Sequence, residues 1–216
     1  DKLALYWSST EYSADEAYCI DQGTVWHTGK HYGGHVRAVR TFGKRVPWTK
    51  QKTTSAPYKV GDFYKENNKW GVVFEINADG TSGKIVNPLH FGKGAWATDK
   101  SLIYSIIGAN STTDGQYNTK VISSTDDWEK KYPAFETITR YVGKGWYIPS
   151  VAELQSIYNT QNSYCIPLYS KGLVWSSTEH SKDKIGAVAF DLSTGKTYVE
   201  DKDKELFSYV INTFGE

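Results

Sequence analysis

One pentapeptide occurs twice in this chain, and the repeat constrains the fold more than any other feature. Trp7-Ser8-Ser9-Thr10-Glu11 returns unchanged as Trp175-Ser176-Ser177-Thr178-Glu179. Downstream, Ala17, Asp21 and Thr24 match Ala187, Asp191 and Thr194, and Thr41-Phe42 matches Thr213-Phe214. The offset grows from 168 at Glu11/Glu179 to 170 at Asp21/Asp191 and 172 at Thr41/Thr213. Two small insertions therefore separate the copies, and insertions of that size belong in turns. Residues 1–42 correspond to 169–214, whereas the long stretch 57–168 has no counterpart ahead of Asp1. The expected organisation is the C-terminal half of one module at 1–42, a linker at 43–56 and a complete module at 57–216. The linker reading rests on Lys44, Arg45, Lys50 and Lys52 set among Ser and Thr with no acid. The chain contains no Met, not even an initiator, so it is read as starting inside a longer gene product.

Charge narrows the partners. With 25 basic and 24 acidic residues the formal net charge is +1. No concentrated basic surface is implied, so neither nucleic acid nor an anionic membrane is an expected partner. No run approaches the roughly 18 apolar residues of a spanning helix, so no membrane insertion is expected in this segment. Eight Trp, 16 Tyr and eight Phe suit half-buried strands and also sugar-binding surfaces. Two cysteines, Cys19 and Cys165, exclude a disulfide scaffold; one bridge between them is open and is not fixed by spacing.

Periodicity orders the complete module. Tyr58–Tyr64 reads as a first strand and Trp70–Ile76 as a buried one. Asn77-Ala-Asp-Gly80 supplies the hairpin turn, and Gly83–Val86 starts the return strand. Asp114–Ser123 and Pro133–Val142 can each open a helix. Ser150 and Glu153 have capping-box spacing, with Val151, Leu154, Ile157 and Tyr158 on one face of a helix over 150–159. Short strands follow at 174–177, 187–192, 196–200 and 207–213. The order of strands, helices and strands predicts an α+β fold of short antiparallel strands with two or three helices.

Three segments together resemble one known pattern. They are Gly61-Asp-Phe-Tyr64 leading to Gly71-Val-Val-Phe-Glu-Ile76, then Gly143-Lys-Gly-Trp-Tyr-Ile-Pro-Ser-Val-Ala-Glu-Leu154, then Trp175-Ser-Ser-Thr178. The chain resembles a bacterial surface-domain family of unknown function that also forms the C-terminal domain of collagen-like adhesins. In motif order it is similar to formylglycine-generating enzymes and to C-type-lectin-like folds. The resemblance implies a secreted or cell-surface bacterial protein with a C-type-lectin-like fold. It further implies that first and last strands pair, that the termini meet and that loops between the late strands form the ligand face.

Each candidate chemistry has a plain structural alternative. The formylglycine-generating enzymes depend on paired cysteines late in the fold; the complete module holds only Cys165, so no enzyme of that type, and no catalytic residue, is expected. Trp-Ser-Ser-Thr reads as a buried ring with hydroxyls that satisfy backbone groups, not as a nucleophile. His27, His31 and His35 are spaced by four, but Gly29, Gly33 and Gly34 interrupt any helix, so a loop and no metal is the reading. Glu200, Asp201, Asp203 and Glu205 offer oxygens for calcium, yet Lys202 and Lys204 alternate with them as in a solvated turn; no cofactor is expected, calcium being admitted and not favoured. Candidate ligand-binding residues are Trp26, His27, Tyr32 and His35 in the half copy, on an exposed loop. In the complete copy they are Tyr198, Asp201, Asp203 and Phe207. The function read from this is non-catalytic recognition of a glycan or a surface protein through late loops. The alternative is a spacer repeat in a larger adhesin with no small ligand. Tyr6, Trp7, Tyr18, Ile20, Val36 and Val39 alternate as strand residues, so the half copy is expected to pack on the complete module or swap into a neighbour.

Overall fold

The computed structural model describes residues 6–21, 24–31, 57–88, 93–138, 145–164, 168, 172–180, 182 and 185–215. The chain divides into two compact units, Asp1–Thr53 and Thr54–Glu216. The proposed linker 43–56 lies outside the described residues, as do Tyr32, His35, Val36, Val39 and Cys165.

The first unit holds an antiparallel sheet of β1 (Tyr6–Glu11), β2 (Glu16–Asp21) and β3 (Thr24–Gly29), in that order. The second unit opens with β4 (Phe63–Glu66), β5 (Lys69–Ile76), β6 (Gly83–Asn87) and β7 (Lys93–Ala95). Five helical segments follow: α1 (Lys100–Ile103), α2 (Gly115–Ser123), α3 (Trp128–Lys131), α4 (Pro133–Thr137) and α5 (Val151–Tyr164). The chain then forms β8 (Leu173–Glu179), β9 (Gly186–Asp191), β10 (Lys196–Asp201), β11 (Glu205–Phe207) and β12 (Val210–Phe214). The class is α+β. One sheet runs β10-β9-β8-β11-β7 and the other β12-β6-β5-β4, and the pairs are antiparallel except β11 with β8.

Both sheets sort alternate residues to two cores, because side chains on a strand alternate faces. Val73, Trp175, Ala187, Ala189 and Val210 join one cluster built around Trp96, Tyr132 and Phe135. Val72, Phe74, Val174, Phe190 and Ile211 join the other, built on Leu154 and Ile157 of α5. A strand buried on both faces reads as a continuous apolar run, which is why Val72-Val-Phe74 shows no alternation.

Several expectations are met in detail. The Asp114 carboxylate caps α2 by accepting from Tyr117 N at 2.8 Å. Ser150 N donates to Glu153 Oε2 at 2.8 Å, while Glu153 N reaches back to Ser150 Oγ at 3.4 Å. Leu154 and Ile157 are buried, with Val151 and Tyr158 packed beside them.

Other expectations are corrected. The first strand of the module starts at Phe63, not Tyr58, because residues 58–62 form a turn in which Lys59 N donates to Asp62 Oδ2 and Gly61 has φ +91°. The helices number five among the described residues rather than two or three; α1, α3 and α4 have four or five residues each, too short to show a 3.6-residue period. The expected strand 207–213 is two strands, since Ser208 and Tyr209 carry the chain from one sheet to the other. First and last strands share a sheet but stand at its opposite edges. The ends of the module nevertheless meet through rings: Phe214 lies 5.3 Å from Tyr58 and 4.6 Å from Tyr64, centroid to centroid.

The repeat is preserved in register. Trp7 faces Cys19 and Glu11 faces Ala17, with a bulge between them. Trp175 faces Ala189 and Glu179 faces Ala187, with a bulge in the same place. Both insertions fall in turns. The second lies between Asp191 and Lys196, which pair as Asp21 and Thr24 do, so the counterpart of Thr24 is Lys196 and not Thr194.

Candidate functional site

The repeated pentapeptide is an internal brace in the second unit. The Trp175 indole donates to the Gly94 carbonyl at 3.0 Å, and the Trp96 indole donates to the Ser176 carbonyl at 3.1 Å. Ser176 Oγ donates to the Val188 carbonyl at 2.6 Å, and Thr178 Oγ1 to the Ser111 carbonyl at 2.9 Å. Ser177 Oγ accepts from Asn118 Nδ2 at 3.3 Å. These hydroxyls satisfy buried polar partners, as the sequence suggested, and stand on a strand closed to solvent.

Glu179 completes the motif and marks the site. Its carboxylate accepts from the amides of Ile107 and Gly108, at 2.9 and 3.0 Å, and from Lys202 Nζ at 2.7 Å. Both side chains of this ion pair are wholly buried. Lys202 Nζ also donates to the Ser105 carbonyl at 2.7 Å and sits 5.2 Å from the Trp96 ring centroid. The expectation that Lys202 belongs to a solvated run is therefore wrong. Asp201 and Asp203 on either side are exposed, but residue 202 turns inward because Glu179 and the carbonyls of Leu102 and Ser105 wait there. The Lys202 backbone N donates to the Ile185 carbonyl at 2.8 Å, which ties a second loop to the same residue.

What this anchor holds is a surface. Tyr104 and Ile106 flank Ser105 and are 62% and 41% exposed, and Ile185 is 39% exposed. The desolvated charge pair thus fixes the loop of Tyr104 and Ile106, and the Lys202 backbone amide holds that of Ile185; the apolar side chains of both face water, and Asp201 and Asp203 next to Lys202 are exposed. On the edge strand β10, Tyr198 (42%) and Val199 (47%) are also exposed, on opposite faces of the sheet because they are consecutive.

A second buried carboxylate is purely internal. Glu153 accepts from Gly115 N at 3.1 Å, Tyr147 OH at 3.1 Å and Lys84 Nζ at 3.0 Å, besides its capping bonds. Burial pulls the Lys84 ammonium down, but the carboxylates of Glu153 and Glu75 beside it outweigh that and hold it above its ordinary value. The pair ties β6, α2 and α5 together and leaves no oxygen of Glu153 for another partner.

The sequence-derived candidates are scattered. Trp26 and His27 lie on β3, so this part of the proposed loop is a strand. His27 Nδ1 stands 3.0 Å from Glu16 Oε2, and its ring stacks on Tyr12 with centroids 3.6 Å apart. Tyr32 and His35 lie outside the described residues. Tyr198 faces Ala189 as Trp26 faces Cys19, so these two are counterparts by register. Phe207 is half-buried against the second core, with the Lys93 ammonium 5.2 Å from its ring centroid. Among the described residues no three His, Cys, Asp or Glu side chains gather as a metal site. Glu200 pairs with Lys204 at 2.6 Å.

Tyr104, Ile106 and Ile185 carry no sequence signal as site residues; the anchor, expected in a solvated run, does carry one. Lys30 and Lys202 lie at the same offset of 172 as Thr41 and Thr213. Lys30 bonds Glu11 at 2.7 Å, the counterpart of the Lys202–Glu179 pair. Comparison with protein-family models returns no match, and comparison with curated proteins returns none either.

Proposed function

We propose that this chain is a non-catalytic recognition module of C-type-lectin-like kind, secreted or displayed on a bacterial surface, that binds a glycan or a protein through the loops around its late strands. The observation that carries the reading is the anchored apolar surface of Tyr104, Ile106 and Ile185 beside exposed Asp201 and Asp203. An exposed ring and two aliphatic side chains next to polar groups suit stacking on a sugar face or packing on a protein. A desolvated ion pair holding the backbone lowers the ordering cost of binding. No covalent step is assigned, and no cofactor is required by the reading.

One observation favours the second reading, a spacer repeat. All the chemistry of the repeated pentapeptide in the complete copy is turned inward. Repetition of a purely structural motif is what a spacer needs.

The test is a screen of the full chain against glycans and polysaccharides, with calcium and with a chelator, followed by Tyr104→Ala and Tyr198→Ala. A ligand whose affinity falls by about tenfold or more in Tyr104→Ala supports recognition at this surface. Binding unaffected by both variants removes the surface from the proposal, and a blank for glycans and for surface proteins leaves the spacer reading.

A further inference from the structure

The same five residues are buried in one unit and open in the other. Trp175 to Glu179 are all within 2% of full burial. Trp7 and Ser8 are half-buried, and Ser9, Thr10 and Glu11 are exposed. The side chain of Glu11 is 75% exposed, against 0% for Glu179. Local geometry does not explain the difference. The bulge register is the same, Thr10 N donates to Ser8 Oγ as Thr178 N does to Ser176 Oγ, and each glutamate has its lysine.

The difference lies in the cover. In the second unit it comes from the stretch 57–168. Gly94 accepts the tryptophan indole and Trp96 donates to the strand. The carbonyls of Pro149 and Ala109 accept from the amides of Ser177 and Glu179, at 2.8 and 2.7 Å, and the Ser111 carbonyl accepts from the threonine. Residues 1–42 correspond only to positions beyond 168, so their unit contains no copy of those groups.

We propose that the Trp7–Glu11 face is a docking surface for a half-module of the kind residues 57–168 form, one not already closed by its own late strands. The partner is defined by chemistry: a carbonyl for the Trp7 indole, an indole donor for Ser8, and two further carbonyls at the spacing of Ala109 and Pro149. Asp1 aligns with Tyr169, which sets the junction at which a test places such a segment.

The experiment extends the full chain with a second copy of residues 57–168 fused ahead of Asp1. Amide hydrogen exchange is then compared with that of the unextended chain. The amides of Ser9 and Glu11 are expected to slow by about 100-fold or more, together with the added segment. Trp7→Ala in the extended chain is expected to abolish that protection while leaving the exchange of 57–216 unchanged. The proposal is overturned if Ser9 and Glu11 exchange as before, if the added segment exchanges as unfolded chain, or if protection survives Trp7→Ala. It is equally overturned if light scattering of the unextended chain shows a dimer in which these amides are already protected, since a second copy then covers the face.

Discussion

Replacing Lys202 by Met gives the sharpest test of the anchor. The methionine fills most of the lysine's volume, so the change is chiefly one of charge. It leaves the Glu179 carboxylate without its ammonium at zero exposure, and it strips a charged donor from the Ser105 and Leu102 carbonyls. Removing one partner of a buried pair costs about 3–5 kcal/mol, because the remaining charge has lost both water and its counter-ion. That is a large part of the roughly 5–15 kcal/mol that stabilises a domain. With a urea slope of about 2 kcal/mol/M, the unfolding midpoint of the 54–216 unit should fall by about 1.5–2.5 M. Adding Glu179→Gln removes the orphaned charge but keeps an oxygen for the Ile107 and Gly108 amides, so the double variant should recover part of the loss. Lys30→Met supplies the control: its partner Glu11 is open to water, and the change should leave the unfolding of either unit unaltered within error. A midpoint shift below about 0.5 M for Lys202→Met, or a double variant no more stable than the single, would refute the reasoning.

The same contacts set other outcomes. Thr178→Val should cost about 1–3 kcal/mol by thermal unfolding, since it leaves the Ser111 carbonyl and the Val151 amide without their hydroxyl. Gly115→Ala should destabilise by a similar amount, about 1–3 kcal/mol, because a Cβ there would sit 2.5 Å from the Ile148 carbonyl oxygen and 2.6 Å from Glu153 Oε2. Lys84 has a raised folded-state value, so its contribution is full below the ordinary lysine range near about 10.5 and is lost as pH rises through the folded value. Unfolding midpoints measured from pH 9 to pH 11.5 should therefore fall less steeply in Lys84→Met than in the unchanged chain, about pH 10.5 and above. Tyr104→Ala should change stability by no more than about 0.5 kcal/mol in the same assay, which keeps it usable as a binding variant.

The sequence carried the parts of this structure that rest on local rules. The capping box of Ser150 and Glu153 is written into neighbouring residues, and the structure uses it as read; the helix expected from Asp114 is present too, with the Asp114 carboxylate as its cap. The buried run Val72-Val-Phe74 and the turn at Asn77–Gly80 are local in the same sense. Single-turn helices such as α1 and α3 leave no periodic trace. The inward lysine was missed for a different reason. A run of alternating acids and lysines reads as solvated, and only Glu179, 23 positions away, reverses that reading for Lys202. The signal lies in the repeat, because Glu11 and Lys30 form the same pair in the first copy. The apolar loop residues Tyr104, Ile106 and Ile185 carry no motif, and their loops are tied to one another through the bonds of that lysine to the Ser105 and Ile185 carbonyls.

The bulge shared by the two copies has a consequence for how such sequences can vary. A strand that slips by one residue exchanges its two faces. Here the bulge sits between two paired positions that match in both copies, Trp7/Cys19 with Trp175/Ala189 and Glu11/Ala17 with Glu179/Ala187. The ladder is thereby keyed at its centre, and the hairpin ends are left free of that duty. Each end is two residues longer in the second copy, residues 180–185 against 12–15 and residues 192–195 against 22–23, and the pairings Trp7/Cys19, Glu11/Ala17 and Asp21/Thr24 keep their counterparts. In the longer second turn, Asp191 holds Ser193 and Thr194 with its own carboxylate, so the added residues bring their own order. Loop length is therefore a variable that this frame passes to its surface and not to its ladder, so two copies can differ in what they present while keeping the same strand register.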